Sequence, residues 1–145
     1  MTPARSRAAG SAVNVFRFDG TYYFRHYFTG ETVFARLRRF YENQQYRFAV
    51  PVSEFDGVRR FLETHGYDLQ VVADPERYTV AVRKYTAHPD NIFKEAVDQR
   101  SRDGYNLFVL SDLAAVEDAA NNGATRLRET ELSLRQTGQQ RLTAV

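Results

Sequence analysis

The sequence predicts an α+β fold, and three observations carry that prediction. Short runs rich in aromatic and β-branched residues, such as TYYF, YRFAV and YTVAV, read as strands. Between them lie stretches whose apolar residues recur at helical spacing, such as Phe55, Val58, Phe61 and Leu62. Gly66, Gly104 and Gly123 fall where those stretches need to stop.

In chain order, residues 1–12 are small, polar and basic and read as a disordered leader. Asp19-Gly20 separates VNVFRF from TYYFRHYF, which predicts a β-hairpin, because a two-residue turn needs the positive φ that glycine accepts cheaply. A helix is expected over about 31–43, with Val33, Phe34, Leu37, Phe40 and Tyr41 as its stripe. A strand from Tyr46 to Val50 ends at Pro51. Ser53-Glu54-Phe55-Asp56 then reads as a capping box opening a helix. Strands follow at 69–73 and 78–85, joined by the turn 74–77. Pro89 suits the first turn of a helix over about 89–103, with Ile92, Phe93, Ala96 and Val97 inward. Tyr105 to Leu110 is apolar on both faces and reads as a central strand. Ser111 or Asp112 can cap a last helix with Leu113, Val116 and Ala120 inward. No internal repeat is evident.

From about 46 to 110 the order is strand, helix, strand, strand, helix, strand, which is the succession of the ferredoxin-like βαββαβ plait. The N-terminal hairpin plus helix and the C-terminal helix are additions to it. Residues 13–127 are expected to form a single α+β domain, with 128–145 a polar tail. A plait leaves one sheet face open. The expected cover is the N-terminal hairpin with helix 31–43 laying Phe34, Leu37, Phe40 and Tyr41 across it. A second copy is the next candidate.

Composition narrows the functional classes. With 43% apolar and 14% aromatic residues in 145, the chain can bury a core without staples. The absence of cysteine excludes disulfides, thiolate metal sites and a cysteine nucleophile. His26, His65 and His88 are scattered, so no metal site and no cofactor are expected. No apolar run approaches the roughly 20 residues of a membrane span, and MTPARSRAAG lacks the apolar core of a signal peptide, so the expected compartment is the cytoplasm. The pI is near 9.0. Arg5 and Arg7 in the leader and a surplus of one Arg after residue 127 account for the excess, leaving −1 on residues 13–127. Net charge therefore supplies no basic face.

Four sets of residues are candidates for function. Lys84, His88, Asp90 and Lys94 join a strand end to a helix start, where free backbone N–H groups favour anions; Asp90 would orient His88. Plain loop and cap chemistry accounts for the same residues. The run Tyr22–Phe28, with Arg25 and Tyr27, combines aromatic rings and a cation as nucleic-acid platforms do, though strand aromatics serve cores as readily. Arg36, Arg39 and Arg47, with Arg38 beside them, make the most basic local patch, which a solvated helix face also explains. The carboxylates Asp56, Glu63, Asp98, Asp103, Glu117 and Asp118 fall on helix exteriors or caps, and no pair stands out for acid–base work. No nucleophile elbow, phosphate loop, dinucleotide fingerprint or zinc-protease motif is present.

The runs FRFDGTYYFRHYF, NQQYRFAVP and KYTAHPDNIFK resemble those of small uncharacterised proteins of halophilic archaea, across about residues 14–127; the resemblance implies no activity. In outline the plait also resembles ACT-type ligand-binding modules, without their ligand-loop glycine. It departs from the RNA-recognition motif, since YTVAVRKY lacks the glycines of the stacking block. The leading reading is a non-catalytic binding or regulatory module, with a protein or a second copy as partner and no membrane. Two alternatives stand beside it. One is a nucleic-acid-binding protein using Arg25, Tyr27, Arg36, Arg39 and Arg47; the other is an enzyme acting on an anionic substrate at residues 84–94.

Overall fold

The computed structural model describes residues 12–134. Residues 1–11 of the expected leader and 135–145 of the expected tail lie outside it. The chain is mixed α+β, and its contacts gather into two compact units that divide at Ala73/Asp74.

The first unit holds β1 (Ala12–Phe18), β2 (Thr21–Phe24), α1 (Thr32–Leu37), β3 (Tyr41–Glu42), β4 (Arg47–Pro51), α2 (Val52–Thr64) and β5 (Asp68–Val71). β1 and β2 pair antiparallel across Asp19-Gly20, whose φ angles of 53° and 82° are those a tight primed turn requires. The sheet order is β3-β4-β2-β1-β5, with β5 parallel to β1. Strand alternation puts Val13 and Val15 of β1, Tyr22 and Phe24 of β2, and Phe48 and Val50 of β4 on one face. Both helices pack there. Val33 and Leu37 of α1, Phe40 after it, and Phe55, Val58 and Leu62 of α2 share a single cluster with those strand residues. Its centre is aromatic: Phe48 lies 5.2 Å from Phe24, 5.6 Å from Phe28 and 5.0 Å from Tyr41 by ring centroids.

Two expectations are corrected here. The helix over 31–43 shortens to Thr32–Leu37, then a 3-10 turn Arg38–Phe40 and the two-residue β3. It packs on the same sheet face as α2, so its apolar stripe does not cover the opposite face. The capping box is also absent. Pro51 is the N-cap of α2 without a side-chain bond, and Ser53 and Glu54 sit inside the first turn.

The second unit holds β6 (Thr79–Arg83), α3 (Ile92–Glu95), β7 (Ala96–Arg102), β8 (Tyr105–Leu110), α4 (Leu113–Asn121) and β9 (Thr125–Arg126). Its sheet order is β7-β8-β6-β9, antiparallel throughout. Val80, Val82, Phe108 and Leu110 meet Val116 and Ala119 of α4 in its core. The Asp112 carboxylate caps α4 by accepting from the Ala115 N–H at 2.8 Å.

The helix expected over 89–103 is four residues long, and 96–102 is a strand instead. Asp103 (φ 41°) and Gly104 (φ 85°) form a second tight turn that folds β7 onto β8. The strands assigned to one plait over 46–110 accordingly fall in two sheets, β4 and β5 in the first, β6 and β8 in the second. The units nevertheless run through one succession. β2, α1, β3, β4, α2, β5 matches β6, α3, β7, β8, α4, β9, and the exits of β2 and β6 carry Arg25-His26-Tyr27 and Arg83-Lys84-Tyr85. In both sheets the strands in these first, second and third places lie in the order second, third, first; β1 is then interposed before β5. The repeat not evident in the sequence is one of architecture.

Candidate functional site

Packing α1 and α2 side by side on one sheet face leaves a cleft between the end of α1 and the first half of α2. It has a volume of about 330 Å³ and is lined by Arg36, Leu37, Arg39, Phe40, Ser53, Glu54, Gly57, Val58 and Phe61. That is at the lower end of the range for small-molecule sites, roughly 300–1,000 Å³. Leu37, Phe40 and Val58 are buried beneath it, and the surface it exposes is more polar than apolar. Gly57 adds open space, because a Cβ built there meets nothing within 4 Å.

Two arginines stand three residues apart, on one face of the α1 end. The Arg36 guanidinium lies 4.7 Å from the Phe61 ring centroid, and Arg39 lies 4.1 Å from that of Phe40. Arg39 also donates to Glu54 Oε1 at 2.5 Å. That hydrogen bond holds the Glu54 carboxyl below the usual carboxylate range and raises Arg39. Among the described residues no carboxylate pairs with Arg36. One cation is thus neutralised locally and the other is oriented by an aromatic ring but left without a counter-charge.

The remaining nucleic-acid candidates lie elsewhere. Arg47 donates to Glu42 Oε1 at 2.7 Å and lies 4.1 Å from the Tyr23 centroid. Register places it with Tyr23 and Ala49 on the sheet face opposite the helices. Arg25 is 5.7 Å from the Tyr46 centroid, and Tyr27 is 83% exposed in the loop after β2. Sequence neighbourhood had grouped Arg36, Arg39 and Arg47, and the alternation of β4 separates the third from the other two.

In the second unit, Lys84, His88 and Asp90 occupy the long connection from β6 into α3, and Lys94 lies in α3 itself. No hydrogen bond or ion pair joins any two of these four. The His88 Nδ1 is 3.0 Å from the Thr86 carbonyl rather than oriented by Asp90, and its ring stacks on Phe93 at 5.4 Å. Asp90 and Lys94 are exposed. The helix start they were assigned to is one turn long, with Asn91 at φ 67° as its N-cap, so it offers no extended row of free N–H groups.

Among the described residues no group of three or more His, Asp or Glu side chains is placed to hold a metal. No helix there is long and apolar enough to cross a membrane. Sequence reasoning missed Gly57, Glu54 and Phe61 as partners of Arg36 and Arg39. The one available signal was Gly57 itself, a helix-interior glycine that costs stability and has no neighbour demanding it. No protein-family model, no curated protein and no solved structure matches the chain.

Proposed function

We propose that the chain is a non-catalytic binding module built on two ferredoxin-like βαββαβ units, and that it takes a small anion with an apolar body in the α1–α2 cleft. The strand order of the second unit, second-third-first-fourth, supports the plait, as does the same second-third-first order in the first unit. The observation that carries the binding reading is Arg36: a guanidinium lining a cleft, held over Phe61, with no carboxylate partner among the described residues. A phosphate or carboxylate supplies the missing charge and planar acceptor geometry. The half-buried Phe61 ring under Arg36 offers an apolar surface to the body of the ligand, and Glu54 limits the site to one net positive charge. Nothing in the cleft pairs a nucleophile with a base, which is the reason for a binding rather than a catalytic role.

Calorimetric titration with phenyl phosphate, benzoate and uncharged benzyl alcohol tests this. Phenyl phosphate should bind and benzyl alcohol should not. Arg36→Ala should weaken phenyl phosphate about tenfold or more, as expected for a charged hydrogen bond worth about 1.5–3 kcal/mol. Equal binding by wild type and Arg36→Ala would remove the cleft as the site.

A further inference from the structure

The second unit holds part of its own chain in the manner of a bound peptide. After β9, a 3-10 turn at Leu127–Glu129 leads into residues 130–134, which belong to no strand. Three side chains of the unit grip the backbone of this segment. The Glu76 carboxylate accepts from the Ser133 hydroxyl at 2.9 Å and from the Leu134 N–H at 3.0 Å, both at Oε2. The Leu134 carbonyl accepts from Arg100 Nη1 at 3.0 Å and Arg102 Nη2 at 2.7 Å. Arg102 Nε donates to the Ser133 carbonyl at 3.3 Å. The Leu134 side chain is 4% exposed.

The gripping groups are preformed on regular structure. Arg100 and Arg102 are two residues apart on β7, so they share one sheet face. Their partners across the ladder are Leu107 and Tyr105, which places them opposite the α4-packed face of Phe108 and Leu110. Asp98, two residues earlier on β7, accepts from Arg100 Nε at 2.9 Å and fixes it. Glu76 sits in the 3-10 turn Pro75–Tyr78 before β6. Burial and the neighbouring Arg100 lower the pKa of Arg102, and Asp103 and Asp98 oppose them in part. Arg102 donates to three neutral carbonyls, those of Ser101, Ser133 and Leu134.

We propose that Glu76, Arg100 and Arg102 form a peptide-binding site for an apolar-Ser-apolar segment, filled here by the chain's own Leu132-Ser133-Leu134. Specificity follows from the contacts. Glu76 reads a hydroxyl and the next N–H together, which demands serine or threonine followed by any residue but proline. The arginine pair reads the carbonyl after it, and the buried aliphatic side chain anchors the end. Side chains rather than a β-ladder hold the segment, so it can leave without breaking a strand from the sheet.

The test uses full-length protein and a labelled peptide of residues 128–134, RETELSL, acetylated and amidated. The wild type, with its own segment in place, should bind the peptide weakly. Leu134→Asp should open the site and bind it roughly tenfold tighter or more. Adding Arg102→Ala to Leu134→Asp should abolish that gain. A folded Leu134→Asp protein that binds no better than wild type overturns the proposal, as does binding indifferent to Arg102→Ala. If Leu134→Asp does not fold, amide hydrogen exchange on the wild type decides. The Leu134 amide should exchange about a hundredfold faster than those of Leu107 and Val109; exchange at the same rate would make the segment an inseparable part of the core.

Discussion

Replacing Gly57 by leucine separates stability from binding at a single position. Gly57 lies inside α2 at an ordinary helical φ, where glycine costs roughly 0.8–1 kcal/mol relative to alanine and only slightly less relative to leucine. A Cβ there meets nothing within 4 Å, so no clash at that atom offsets the gain. Gly57→Leu should therefore stabilise the protein by about 0.5–1 kcal/mol, read as an increased urea midpoint with an unchanged slope. The same side chain projects from a residue that lines the cleft. Phenyl phosphate affinity should fall about tenfold, or about 1.4 kcal/mol. Destabilisation by more than about 1 kcal/mol would show the helix to be tighter there than described, on the scale of an overpacked site. A gain in stability with unchanged affinity would show that the cleft is not where the anion binds.

Two further perturbations probe the first unit. Phe48, 1% exposed at the centre of the aromatic cluster, should cost about 3–5 kcal/mol when changed to alanine, measured by urea unfolding; a loss below about 1.5 kcal/mol would contradict its central packing. His26, beside Phe28 and Tyr67, has its pKa lowered by burial. The unfolded chain, with an ordinary value of about 6.5, then binds a proton that the folded one refuses. The stability this group contributes is present above that value and is lost as pH falls from it toward the folded pKa. Melting temperatures between pH 8 and 5 should show that slope, and His26→Gln should flatten it; an identical slope in the variant would assign it to other groups.

Helix α2 is legible in the sequence because Phe55, Val58 and Leu62 recur at its period and Gly66, at φ 87°, stops it. β8 is legible because six apolar or weakly polar residues follow a turn glycine. β7 is not, and the reason is chemical. Its half-buried positions on one face are Asp98, Arg100 and Arg102, so it lacks the apolar alternation of a half-buried strand, while Ile92, Phe93, Ala96 and Val97 mimic a helical stripe. Asp103-Gly104 carried the turn signal, the same dipeptide that reads as a hairpin at 19–20. Taking Gly104 as a helix stop instead moved the second helix onto a strand and merged two sheets into one plait. The candidate site was half legible. Arg36 and Arg39 stand out as charge at helical spacing, but their aromatic and acidic partners come from α2 and from the 3-10 turn, brought together only by packing on one sheet face.

The most direct test of the binding account is a map of backbone amide shifts during titration of the full chain with phenyl phosphate. The account predicts saturable changes concentrated at Arg36, Arg39, Glu54, Gly57 and Phe61, five of the residues that line the cleft. Saturable changes centred on Lys84, His88, Asp90 and Lys94, or none at all, would contradict it.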